Sequence, residues 1–238
     1  MGRPFASGSE METRSAFPRS RLLLIAGMLV CVAGLSIGVA DVPVALAVTG
    51  ISPSLHEVVD RFTGAIEAVF GFPVSIYASG LVLVAVAGIL ALRPPLRCAA
   101  RVMVWIALTQ LTTRFAVDVL KPVFDRLRPH EAISGGVLHD RFFASVGNSF
   151  PSGHAAHFWG FFFALAVVFP KHWLPLVVVP VLVSLARVMA NDHYVSDVVA
   201  SAAVAALVTI AYYGALTRRG DSHKPRHFAP ARTIFTKS

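Results

Sequence analysis

Charge is scarce in this chain. Only 14% of its 238 residues are Asp, Glu, Lys or Arg, and 55% are hydrophobic, where soluble domains carry about 25% charged residues. That balance excludes an ordinary soluble domain and makes a membrane protein the first expectation. Cysteine is nearly absent. Cys31 lies inside the first apolar run and Cys98 beside Arg97, with no disulfide framework and no metal-ligand spacing. The sequence shows no strand-type alternation and no internal repeat. Acidic residues are outnumbered, 13 against 21 basic ones, for a net charge of +8. The basic residues gather in short stretches between apolar runs and in the tail from Arg218 to Lys237, a pattern that sets topology and attracts anionic lipid. The tail has only Phe228 and Phe235 as interleaved aromatics, so no nucleic-acid partner is expected.

Windows of about 20 apolar residues, the length that crosses a hydrocarbon core, predict six spans: Leu22–Ala40, Val74–Leu92, Ala99–Leu120, Gly153–Phe169, Trp173–Ala190 and Val195–Leu216. The expected fold is all-α, a polytopic bundle of about six transmembrane helices. Residues 1–21 form a cytoplasmic N-terminal segment, 22–216 the membrane domain and 217–238 a basic cytoplasmic tail. Ala45-Leu46-Ala47 has the look of a signal cleavage site, but the preceding run is long for a signal and more spans follow, so the first span is expected to stay uncleaved. The N-terminal segment, the turn with Arg93, Arg97 and Arg101, the turn with Lys171 and the tail all fall on one side, which the positive-inside rule makes cytoplasmic. Asp41–Pro73, Lys121–Phe150 and Asn191–Tyr194 then face outward, which in an inner membrane is the periplasm.

Within the first outward loop, Ser54-Leu-His-Glu57 has the form of a capping box. Leu55, Val58, Val59, Phe62, Ile66, Val69 and Phe70 follow on one helical stripe. An amphipathic helix lying in the interface is expected here, and a helix packed on the bundle as core would give the same pattern.

The strongest ionisable residues stand at the outward ends of spans, where burial without a role is expensive. The first group is Lys121 and, seven residues on, Arg128 before Pro129. An arginine fork suits phosphate oxygens, and snorkelling toward headgroups would place the same residues there. The second is Pro151-Ser152-Gly153-His154 at a helix start, where free amides and the dipole favour an anion. Helix capping explains Pro151 and Ser152 but not His154. The third is Arg187, His193 and Asp197. A helix starting near Asp192 would put His193 and Asp197 on one face, so that the carboxylate orients the ring for attack; a buried structural pair is the alternative. His157, one turn beyond His154, lacks companion ligands for a metal and is expected to be satisfied within the bundle. Gln110, Arg114, Asp118 and Lys121 form a polar stripe on the third span, in which Arg114 and Asp118 can pair at i, i+4.

Taken together, Lys121 with Arg128-Pro129, then Pro151-Ser152-Gly153-His154, then Arg187, His193 and Asp197, resemble in order and internal spacing the three motifs of the type-2 phosphatidic acid phosphatase superfamily, which also contains the vanadium haloperoxidases. The resemblance runs from Lys121 to Asp197, about a third of the chain. One departure is Ala186, where the family often has serine before the arginine. The resemblance implies metal-free hydrolysis, without a cofactor, of a phosphate monoester or diphosphate on a lipid. His193 would attack phosphorus and form a phospho-histidine, Asp197 would orient it, and His154 would protonate the leaving oxygen and then activate water. Lys121, Arg128, Ser152, the Gly153 amide and Arg187 would hold the phosphate oxygens. With the site at the periplasmic face of the inner membrane, the candidate substrates are undecaprenyl diphosphate, a lipid A phosphate, phosphatidylglycerol phosphate and phosphatidic acid. The basic loop Arg126–Arg141, with His130 and His139, favours a bulky, multiply charged headgroup. Six spans argue against the soluble haloperoxidase branch. Phosphate exchange between lipids would use the same histidine, and a transporter would carry its charges nearer mid-membrane.

Overall fold

The computed structural model describes residues 19–136, 142–144 and 147–217, and among these the regular elements are all helical. They are α1 (Arg19–Val39), α2 (Asp41–Val48), α3 (Pro53–Val69), α4 (Ala78–Ala91), α5 (Arg97–Phe124), α6 (Pro129–Ser134), α7 (Gly153–Val168), α8 (Trp173–Met189) and α9 (Val195–Thr217), with 3₁₀ turns at Pro94–Leu96 and Pro170–His172.

Six apolar helices stand where six spans are expected. Four helical stretches, Arg19–Val39, Pro94–Ser134, Pro170–Met189 and Val195–Tyr213, have the length and composition to cross a membrane. The other two are shorter, 14 residues in α4 and 16 in α7. At 1.5 Å per residue α7 spans about 24 Å against a hydrocarbon core of about 30 Å. It starts late because Ser152 caps it, and it stops at the 3₁₀ turn opened by Pro170. Many residues of α7 are buried, whereas α1 and α4 expose Leu24, Met28, Leu35, Leu81 and Ile89. Apolar side chains around a whole helix are what lipid, rather than water, selects.

Helix α9 is the hub and packs against α1, α5 and α7; α5 also packs on α4 and α7, and α7 on α8. Its buried residues are mostly small, Ala200, Ser201, Ala202, Ala203, Ala205 and Ala206, which lets backbones approach where lipid provides no hydrophobic drive between helices. Leu22 and Ala26 of α1, Trp105 and Ile106 of α5, Phe163, Ala164 and Val167 of α7, and Ala206 and Ile210 of α9 form the main core. A smaller cluster of Ala155, Val188 and Val198 joins α7, α8 and α9 near the starts of α7 and α9 and the end of α8.

The loop between α1 and α4 departs from expectation in two ways. It holds two helices, α2 and α3, which meet at a bend of 111°. The Ser54–Glu57 capping box does not form. Ser52 is the N-cap with Pro53 in the first turn, so Ser54 already lies inside the helix, its hydroxyl pairs with that of Ser52, and Glu57 pairs with Arg61 at 2.6 Å. Proline at the first helical position needs no N–H partner and fixes the start earlier. The stripe on α3 is also divided. Val59 and Thr63 are buried, while Leu55, Val58, Phe62 and Val69 are exposed. The helix therefore packs on α8 along one edge and shows apolar residues outward, as a helix at a lipid interface does.

Candidate active site

Three chain segments converge where α5 ends and α7 and α9 begin. Lys121 is in the last turn of α5, which runs on to Phe124 and ends with Asp125 in the left-handed region at φ 44°. The Lys121 ammonium donates to the carbonyl of Asn148 at 2.9 Å. Arg128 caps α6, its amide donating to Glu131 at 2.9 Å. Gly147 lies so close to the Arg126 backbone that a Cβ would come within 2.1 Å of its carbonyl carbon, and the Ser149 amide donates to the Arg126 carbonyl at 2.8 Å. The segment before the second motif is thus sewn to the first.

Ser152 is the N-cap of α7. Its hydroxyl oxygen accepts from the Ala155 amide at 3.4 Å, and its own O–H is left to donate. The Ser152 amide donates to the Asp197 carbonyl at 3.2 Å, and Ser201 donates to the Ser152 carbonyl at 2.8 Å. Second and third motifs are therefore joined backbone to helix. Gly153 is required by space: a Cβ there would meet the Arg114 guanidinium at 1.8 Å.

His193 does not lie in a helix. Helix α9 begins at Val195, and His193 sits in the preceding turn, where Asn191 adopts φ 57°. The pairing with Asp197 arises because the carboxylate turns back over the start of the helix. It accepts from the Tyr194 amide at 2.9 Å and from Ser149, and meets His193 Nδ1 at 3.4 Å. Both side chains are buried, and Nε2 is the nitrogen left to react. Burial holds the His193 pKa down at about 4, against the pull of Asp197, and the charges of Lys121 and Arg187 act in the same direction as burial. The ring is therefore neutral at pH 7 and takes up its proton only as pH falls through about 4.

Arg187, near the end of α8, and Arg128 both face Asp192, at 2.6 and 3.5 Å, and His130 Nδ1 donates to the Asn191 carbonyl at 3.0 Å. His139 and Arg141 lie outside the described residues. His157 is inaccessible. It bonds the Ile76 carbonyl at 3.1 Å and Gln110 at 2.8 Å, as a satisfied bundle residue should. Arg114 and Asp118 make their i, i+4 pair at 2.7 Å, and Asp118 also accepts from the Tyr77 hydroxyl at 2.7 Å. Arg114, Asp118, Lys121, Pro122, Asp125, Gly147 and Asn148 line a cavity of about 580 Å³ beside the motifs.

Several residues at the site were not expected. Arg126 is buried, and it donates to Asp197 at 2.6 Å, to Ser196 at 2.7 Å and to Asp41 at 2.7 Å. Its guanidinium also lies 3.8 Å from the Tyr194 ring centroid. Glu67 meets His154 Nε2 at 2.9 Å, and Phe72 stacks on the same ring at 5.3 Å. A signal existed for each acid. Asp41 is an isolated carboxylate after a long apolar run, and Glu67 falls on the same helical face as Val59, Thr63 and Phe70.

The family model of the PAP2 superfamily matches residues 99–221, just over half of the chain. The chain belongs to the PAP2 superfamily. Two curated relatives are a lipid A 1-phosphatase of Rhizobium johnstonii, 34% identical over 91 residues, and a lipid A 1-phosphatase of Rhizobium etli, 33% identical over 88 residues. The matched stretch covers 37% of this chain and 37% of the first relative, and 36% and 38% for the second. Among solved structures, the crystal structure of a transmembrane PAP2-type phosphatidylglycerolphosphate phosphatase from Bacillus subtilis superposes with a TM-score of 0.51 at 21% identity, over 89% of this chain and 100% of that one. That likeness establishes the transmembrane fold. Asp41 and Glu67 lie before residue 99, outside the segment that the family model covers.

Two outcomes follow for the PAP2 site. Asp41→Asn removes a buried carboxylate partner of Arg126 and is expected to lower stability on the order of 3 kcal/mol, as loss of a buried charge partner does; thermal unfolding in detergent measures it. The His193 ring, followed by nitrogen NMR and assigned through His193→Gln, is expected to titrate near 4; a midpoint at 6 or above contradicts its burial.

Proposed function

We propose that this PAP2 protein is a lipid phosphatase that acts through a phospho-histidine. The observation that carries the reading is a buried, neutral His193 backed by Asp197 through Nδ1 at 3.4 Å, beside a helix N-terminus and basic side chains from two further motifs. Nε2 of His193 attacks phosphorus while the leaving oxygen takes a proton from His154, and Asp197 stabilises the positive ring that forms. Water then gives a proton to His154 and attacks the phospho-histidine, releasing phosphate and freeing His193. Lys121, Arg128, Arg187, the Ser152 hydroxyl and the Gly153 amide hold the phosphate oxygens. Donors aimed where charge develops supply most of the acceleration in phosphoryl transfer.

Of the candidate substrates, a lipid A phosphate has the best support. Both curated relatives are named as lipid A 1-phosphatases. The neighbouring cavity offers Arg114 and Lys121 as donors and Asp118 and Asp125 as acceptors, a mixture that suits sugar hydroxyls better than a second bare phosphate. The positive-inside pattern of the basic segments supports a site at the periplasmic face of the inner membrane, where such a headgroup would be met.

Purified protein in chelator, offered lipid A, undecaprenyl diphosphate, phosphatidylglycerol phosphate and phosphatidic acid, is expected to release phosphate fastest from lipid A. His193→Ala is expected to lose at least about 10³-fold. Metal-dependent release, or a His193→Ala variant that turns over normally, contradicts the mechanism. A reporter inserted after Ser134 is expected to read periplasmic; a cytoplasmic reading inverts the topology and the substrate pool.

A further inference from the structure

His154 is held from one side by a part of the chain that precedes all three motifs. Nε2 lies 2.9 Å from Glu67 Oε1, and both side chains are about a quarter exposed. The Phe72 ring lies nearly parallel to the imidazole, at 5.3 Å and 21°. One short stretch, the last turn of α3 and the turn after it, thus supplies both a carboxylate to the ring edge and an aromatic face to the ring plane. Arg114 and Arg187 lie within electrostatic reach of the same ring. Like charges raise the cost of an imidazolium and an opposite charge at hydrogen-bond distance lowers it, so Glu67 is the group that can make a protonated His154 tenable between two guanidinium groups.

We propose that Glu67 is a positioning residue for the proton transfers made by His154. This rests on the phosphatase reading above. The Glu67 carboxylate accepts Nε2–H, which leaves Nδ1 as the nitrogen that exchanges protons. In the first step the P–O bond to the lipid breaks, the His193–phosphorus bond forms, and the Nδ1 proton passes to the leaving alkoxide. In the second, water gives a proton back to Nδ1 as its oxygen bonds phosphorus and the His193–phosphorus bond breaks. Glu67 keeps its own charge throughout and supports the charged ring before the first step and after the second. The arrangement also makes the interfacial helix part of the active site, so that the segment meeting the lipid surface presents the carboxylate that readies the acid.

A contact that merely anchored α3 would affect all substrates alike, and leaving-group chemistry separates the two cases. A nitrophenolate leaves without a proton, whereas a lipid alkoxide needs one. With full-length protein in detergent, Glu67→Gln is expected to slow release from a lipid phosphate about 10²-fold, the typical worth of a positioned acid. With p-nitrophenyl phosphate the initial burst of one nitrophenol per enzyme is expected to stay within about threefold of wild type, while the following steady state slows because water activation also needs His154. Glu57→Gln, on the exposed side of the same helix, is expected to change neither. An equal loss of burst and lipid turnover in Glu67→Gln assigns the contact to anchoring and overturns the proposal, as does wild-type lipid turnover. If the unmodified protein shows neither burst nor lipid phosphate release, the phosphatase reading itself falls.

Discussion

The guanidinium of Arg126 has no exposed surface, and neither have Asp41 and Asp197, which it bridges at 2.7 Å and 2.6 Å. A charge taken this far from water is tolerated only when its partners are charged, close and themselves satisfied. Here they are. Asp41 also accepts from the Ser196 amide at 2.9 Å and from its hydroxyl, and Asp197 from Ser149 and the Tyr194 amide, while Tyr194 lays its ring against the guanidinium. The consequence reaches the chemistry directly. Asp197 is the group that faces His193, so its orientation is set from behind by a cation from the first motif and, through that cation, by an acid at the start of α2. The three motif segments are far apart in the chain, but this cluster makes their relative position a single electrostatic problem with few solutions.

The same logic explains why the region outside the family segment belongs to the working unit. Lipid tails do not drive helices together, so packing and polar contacts must. Among the polar contacts that the first hundred residues contribute are Asp41 to Arg126 and Glu67 to His154, and both of these end on residues of or beside the motifs. In a water-soluble enzyme such contacts would be refinements on a hydrophobic core. In a bilayer they carry much of the reason for α2 and α3 to dock where they do, with Phe70 and Phe72 filling the space around His157 and Phe158.

What the sequence made legible follows from periodicity and spacing. Six apolar runs became six apolar helices, and all three motifs came to one end of the bundle because each sits where a span begins or ends. Boundaries within the loops that carry the site were not legible, since they depend on proline and on partners far away. Pro53 displaced the expected cap at Ser54, and the turn at Asn191 kept His193 out of the helix that was expected to hold it. The Asp41–Arg126 contact spans 85 positions and leaves no local pattern; only the oddity of a lone acid beside a membrane span hints at it. Arg126 was hidden in another way, among the basic residues of a loop whose neighbours, Lys121 and Arg128, carried the motif.

The cations around His193 are not equivalent, and their pairing bears on how they would meet phosphate in the proposed reaction. Arg114 is held by Asp118, Arg128 and Arg187 by Asp192. Each guanidinium has five N–H donors and spends only some of them on its carboxylate, so pairing fixes its plane while N–H groups remain to meet phosphate oxygens. Arg187 keeps a buried Nε without a partner, as does Arg114. Lys121 differs: its contact is to a neutral carbonyl, Asn148, at 2.9 Å, and among the described residues no carboxylate lies at hydrogen-bond distance from it. An ammonium can rotate between acceptors at little cost, where a forked guanidinium is committed to a plane. In the proposed reaction the arginines would therefore define where the phosphate lies, and Lys121 would follow the charge that moves onto its oxygens.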